Sequence, residues 1–216
     1  MLVPLLTYYR LPDASSQFTY ALVEKYVYSH SRPTPVSGAQ VVTYLPSSFQ
    51  GKPCLKKVTR KNLHLMGQGI SKLHTDWVMV SSSRIQAVAY ADQDHLPLKL
   101  TGPGIDGHIV MKPGASWSDI HHVEDGSTIS SHSRVIRKET VTVPAGKFQC
   151  WVIKRVETDL MFRRKIAIQE TSWWSPLFHQ FVKANLTVTS PSTIHRGETV
   201  TVKGTLSLSS FTLPKR

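Results

Sequence analysis

The chain lacks the residues and motifs that mark several large function classes. Its 216 residues hold two cysteines, Cys54 and Cys150, far apart and without CxxC spacing, so neither zinc-ribbon nor thioredoxin-type chemistry has a foothold. A Cys54–Cys150 disulfide and two buried free thiols both fit that spacing. The bond would need an oxidising compartment and Cα atoms within roughly 7 Å of each other. No apolar run approaches the roughly 20 residues that a helix needs to cross a bilayer. The opening MLVPLLTYYRLPDASS has a short apolar patch without a basic flank, cut off by Tyr8, Tyr9 and Arg10, so no secretory signal is read in it. HExxH, GxSxG, Walker-type and dinucleotide-binding motifs are missing, as is any internal repeat. The expectation is therefore a protein that is not an enzyme, with no catalytic residues, no metal and no cofactor.

Acidic residues are also scarce. Fourteen Asp and Glu face 26 Lys and Arg, a formal charge of +12, which favours anionic surfaces such as lipid head groups or acidic glycans. The basic residues are scattered, however. The densest runs, KKVTRK (Lys56 to Lys61) and FRRK (Phe162 to Lys165), are too short for a dedicated basic arm and are read as a solvated basic sheet face. Nucleic acid is not an expected partner.

What is abundant is period-2 alternation of β-formers, with hardly any helical periodicity. FTYALVEKYVYSH (Phe18 to His30) reads as a first strand, RPTPVSG as a break, QVVTYLP as a second strand, CLKKVTRKNLHL as a third and GQGISKL as a connector. WVMVSSSRIQAVAY (Trp77 to Tyr90) holds either two strands or one long bent strand, because three serines interrupt it. DQDHLPLKLTGPGIDG is turn-rich, and its Asp92, Asp94 and His95 read as solvated loop groups, not metal ligands. The clearest hairpin is SRVIRKETVTV followed by VPAG and KFQCWVIK, where Pro144 suits the first corner of a type I turn and Gly146 can take positive φ. LMFRRKIAIQETSWW, FVKANLTV and ETVTVKGTLSLSSFTL supply further strands.

Two groups of side chains draw notice. His121 and His122 adjoin three acids, but neighbours on a strand point to opposite faces and cannot share one metal; they read as exposed hairpin residues. Trp117, Trp151, Trp173 and Trp174 all fall in the second half near strand ends. With Phe148 they are the candidates for lining a cavity for an apolar ligand, set against ordinary core filling.

MKPGASWSD (Met111 to Asp119), ETVTVPAGKFQCWVIKRV (Glu139 to Val156) and TSWWSPLFHQFVKANL (Thr171 to Leu186), in this order, resemble bacterial TapB-like and DUF3108-like envelope proteins over roughly residues 104–188. Gly114 and Trp117 match that family's turn, Val143 to Phe148 its VPAGxF hairpin, and Trp173 to Pro176 its aromatic strand end. Where the family has a glycine before its V-K strand, this chain has His179, Gln180 and Phe181. The resemblance implies a curved sheet related to the LolA-like lipoprotein-carrier half-barrel and a periplasmic or outer-membrane-associated location.

The expected fold is mostly β, a curved antiparallel sheet forming an open half-barrel with few or no helices. Residues 1–189 are expected to make a single domain and 190–216 a C-terminal strand extension of it. The expected role is non-catalytic binding of a lipid, an acyl chain or a lipoprotein. The alternative is a structural subunit of a secretion or envelope complex that docks another envelope protein.

Overall fold

The computed structural model describes residues 11–28, 33–65, 68–81, 84–93, 95–106, 109–161, 164–192 and 198–214. These contain strands and turns and no helix. The strands are β1 (Gln17–Tyr28), β2 (Thr34–Phe49), β3 (Lys52–Leu65), β4 (Gln68–Val80), β5 (Arg84–Asp92), β6 (Leu98–Thr101), β7 (Ile105–Asp106), β8 (Ser116–Val123), β9 (Thr128–Val143), β10 (Gly146–Met161), β11 (Arg164–Ser175), β12 (Gln180–Pro191) and β13 (Thr199–Thr212). Alternation wins over the local breakers. β2 runs straight through Pro35 and Gly38, and β4 takes in Gly69 to Leu73, so residues 34–38 of the expected break and 68–73 of the expected connector are strand. Gly38 is there for a close approach: a Cβ at this position would lie 2.0 Å from the Asn62 carbonyl oxygen of β3, a contact only glycine allows.

All pairings are antiparallel. The order is β4-β3-β2-β1-β13-β12-β11-β10-β9-β8-β6-β5, with β7 on β5, and β4 also pairs with β5. That last pairing, His74 opposite Asp92 through Val80 opposite Ile85, joins the two ends of the sheet. The expected open half-barrel is thus a closed ring of 12 strands. Closure follows from physics that local patterning does not display: an open sheet leaves two rows of unpaired backbone groups, and joining β4 to β5 satisfies both. The C-terminal segment forms β13, which pairs with β1 on one side and β12 on the other.

Inward residues recur at every second position, as in Phe18, Tyr20, Leu22 and Glu24 of β1, while Ala21, Val23 and Lys25 between them are exposed. The main apolar cluster closes one end of the barrel. Phe18, Tyr20, Val42, Tyr44 and Leu208 from β1, β2 and β13 meet Val143, Cys150, Phe178 and Val182. Phe178 sits in the middle, its ring 5.5 Å from Phe18, 5.5 Å from Phe148 and 5.0 Å from Phe211. The VPAG turn belongs to this plug. Gly146 takes φ +134°, and the Ala145 amide donates to the Leu208 carbonyl across the barrel at 3.0 Å. Irregularities at Val152/Ile153 and Trp173/Trp174 bend the ribbon, as β-bulges do, and let the hairpin tip fold across the end. Further apolar clusters gather Leu22, Val36 and Leu63 with Ile70, and Met111, Val135, Ile153 and Trp174.

Candidate functional site

Between the plug and the Leu22–Val36–Leu63 cluster the interior face of β2 to β5 turns polar. Residues directly opposite on antiparallel strands share a face. Gln40 stands opposite Lys61, Val42 opposite Thr59 and Tyr44 opposite Lys57; Lys61 in turn stands opposite Lys72, Thr59 opposite His74 and Lys57 opposite Asp76. The inward alternation of β1 and β2 therefore brings Lys57, Lys61, Lys72 and His74 inside. They border a cleft of about 520 Å³ that Val42, Leu73 and Phe181 also line. Phe181 is fixed by stacking on Tyr20, with ring centroids 4.9 Å apart, and by its carbonyl accepting from the Tyr20 hydroxyl at 2.9 Å.

One end of the cleft is an ion network. His74 reaches Asp92 through Nδ1 at 2.6 Å and Asp76 through Nε2 at 2.8 Å. Two carboxylates are best satisfied when both ring nitrogens donate, which makes the ring an imidazolium. Burial alone would lower its pKa, but the bonds to Asp76 and Asp92 outweigh burial and raise it to about 9. Burial likewise opposes ionisation of Asp76, yet the Lys57 ammonium at 3.1 Å and the His74 bond hold its carboxyl well below the usual range. The His74 hydrogen bond also lowers Asp92. At neutral pH these groups are all charged. Lys61 contacts Glu24 at 3.6 Å, and Lys72 has no acid partner among the described residues.

A second polar cluster, of mixed charge, lies on β8 to β10, where Arg155 pairs with Glu157. Asp119 and His121 of β8 are nearly buried and joined at 2.6 Å, so His121 is not the exposed hairpin residue its sequence suggested, whereas His122 is exposed. Across Ser131 and Ile129 of β9 stand Glu157 and Asp159 of β10, both with pKa values raised by burial. No group of three or more His, Cys, Asp or Glu side chains placed to hold a metal ion occurs among the described residues. Asp92 belongs to the His74 network, and Asp94 lies outside the described residues.

The aromatic candidates lie elsewhere. Trp117, Trp151 and Trp174 pack with Met111, Val135 and Ile153, while Trp173 and Phe148 lie against the plug. The irregularity between Trp173 and Trp174 sends these neighbours into different clusters. None of the five borders the cleft. Trp173 Nε1 donates to Glu139, with Lys183 over its ring at 5.1 Å. Cys54 and Cys150 are free thiols, Cys54 half-buried and Cys150 buried, so of the two alternatives that their spacing left open the structure has the unbonded one. Their strands β3 and β10 are six places apart in either direction around the ring; Cys54 alternates with the inward Leu55 and Lys57 and so faces out, while Cys150 lies in the plug. Burial pushes the Cys150 thiol up to about 12, which leaves it inert.

The cleft residues escaped the sequence reading because half of KKVTRK does face solvent. Lys57, Thr59 and Lys61 point inward and Lys56, Val58 and Arg60 do not, a division that period 2 carries but that only the β2–β3 register orients. His179 adopts φ +56°, a left-handed conformation that glycine takes more readily than a residue with a Cβ.

No family model matches the chain, the TapB-like and DUF3108-like families included, and no curated protein matches it. Among solved structures, a Bacteroides fragilis protein assigned as exported, with a YmcC-like fold, is 12% identical with a TM-score of 0.44, over 95% of this chain and 99% of that one. A Parabacteroides distasonis protein assigned as a lipoprotein is 10% identical with a TM-score of 0.38, over 95% and 99%. The hypothetical lipoprotein YmcC of Escherichia coli is 12% identical with a TM-score of 0.30, over 86% and 83%.

Proposed function

We propose that this chain is a non-catalytic binding protein of the bacterial envelope, and that it holds an amphipathic, negatively charged ligand in the cleft between β2 and β5. The observation that carries this reading is the cleft itself. Its volume of about 520 Å³ falls within the roughly 300–1,000 Å³ of small-molecule sites, and it sets lysines beside Val42 and Phe181. The envelope address draws on the resemblance over residues 104–188. A bare acyl chain is a poorer fit, because the apolar parts of the interior are already filled by the chain's own side chains.

Chemistry on the ligand is not part of the proposal. The His74 imidazolium is committed to two carboxylates and has no free lone pair to serve as a base. The test is native mass spectrometry of the protein purified from a bacterial host, followed by displacement of a bound fluorescent fatty-acid probe. A retained amphipath, or displacement by anionic detergent monomers at micromolar concentration, is the expected result. A protein that carries no adduct and binds no amphipath of any charge would refute the reading.

A further inference from the structure

Lys61 and Lys72 stand directly opposite each other on β3 and β4, and both border the cleft. Side chains so placed have Cβ atoms about 4.5–5.5 Å apart, and like charges there are destabilising. Elsewhere in the cleft each cation is matched: Lys57 by Asp76 and His74 by Asp76 and Asp92. Among the described residues Lys61 reaches only Glu24, at 3.6 Å, and that carboxylate also accepts from the Tyr26 hydroxyl. Among the described residues the cleft therefore keeps one uncompensated positive charge, located at the Lys61–Lys72 pair. The nearly buried Gln40 stands opposite Lys61 on the other side, and Phe181 also lines the cleft.

We propose that the Lys61–Lys72 pair is a subsite for a single compact oxyanion, a phosphate-type group, bridged between the two ammoniums. This rests on the cleft being the ligand site and adds to it the chemical class of the ligand's head and the residues that recognise it. A bridging oxyanion turns a cross-strand repulsion into two charge-assisted hydrogen bonds. The group could arrive as a free phosphate or as the head of a phospholipid, and the two sources separate experimentally.

The full-length chain is titrated calorimetrically at low salt with inorganic phosphate, with dihexanoyl phosphatidylglycerol and with dihexanoyl phosphatidylcholine, the lipids below their micelle concentrations. The variants are Lys72→Met, the charge-retaining Lys72→Arg, and Lys25→Met on the exposed outer face as a control for net charge. At least one of the two anionic probes is expected to bind wild type. Lys72→Met should weaken it about tenfold, the scale of one lost hydrogen bond between charged groups, while Lys72→Arg and Lys25→Met leave it near wild type. Phosphate binding on its own assigns the subsite to the free ion; phosphatidylglycerol binding without phosphate binding assigns it to the lipid head. If neither anionic probe binds, or if Lys72→Met and Lys25→Met weaken binding equally, the subsite is refuted. Failure of both lipids to bind while phosphate binds in a Lys72-dependent way refutes the amphipath reading and leaves the subsite standing. A melting temperature of ligand-free Lys72→Met at or above wild type shows that the fold is intact.

Discussion

At His74, two carboxylates hold one ring, and the pH dependence follows from the direction in which each group is shifted. The His74 pKa rises from 6.5 to about 9. Its contribution to stability is therefore complete below pH 6.5 and fades as pH rises through 9. Asp76 is shifted the other way from 3.8, so its contribution is complete above that value and fades only as pH falls below it. The network is at full strength between about pH 4 and 6.5. The His74 side chain is 40% exposed, so solvent screening reduces what its shift is worth to about 1–2 kcal/mol. His74→Gln should cost that amount in urea unfolding at pH 6 and much less at pH 10. An equal cost at both pH values would mean that the ring's charge plays no part.

At the level of strands, the molecule depends on close backbone approach and on face switching. Gly38 brings β2 against β3 on the inner face, opposite Leu63. A methyl group 2.0 Å from a carbonyl oxygen cannot be absorbed by rotating a side chain, so the strands must separate. Gly38→Ala should cost about 2–4 kcal/mol, on the scale of other overpacking and strain effects, and should lower the thermal midpoint by many degrees. A midpoint within a degree or two of wild type would show that the strands separate freely. Much at this scale was legible in the sequence. The hairpin around Pro144 and Gly146 lies where its turn residues put it, and the three serines after Val80 fall between β4 and β5. Pro35, Gly38 and Gly69 are breakers only locally: pairing with β1 holds β2 extended through Pro35, pairing with β1 and β3 holds it through Gly38, and pairing with β3 holds β4 through Gly69. The cleft was not legible. Lys57, Lys61, Lys72 and His74 carry no spacing that separates an inner face from an outer one until Gln40 and Val42 are placed opposite them.

Over the whole molecule, the ring joins strands that are distant in sequence. β1 pairs with β13 from Gln17 opposite Thr212 to Tyr28 opposite Val200, and β4 with β5 closes the other seam. Nothing local announces either pairing, which is why a curved sheet could be expected and a closed one could not. A chain ending at residue 192 would lack β13 and leave β1 and β12 with bare edges. It should elute as oligomers in size-exclusion chromatography and melt without a sharp transition, whereas a monodisperse, cooperatively melting truncation would show that β13 is dispensable.

The β1–β13 seam also sets a timetable for synthesis. At roughly 5–20 residues per second, about 10–40 s separate the appearance of β1 from that of its partner. Throughout that interval the nascent chain presents a strand edge carrying Phe18, Tyr20 and Leu22 with nothing beside it on that side. The cell's task is to keep that edge from pairing with a neighbour's until the last strand arrives. The dependence on chaperones or on slow, dilute expression should therefore end with the synthesis of residues 199–212.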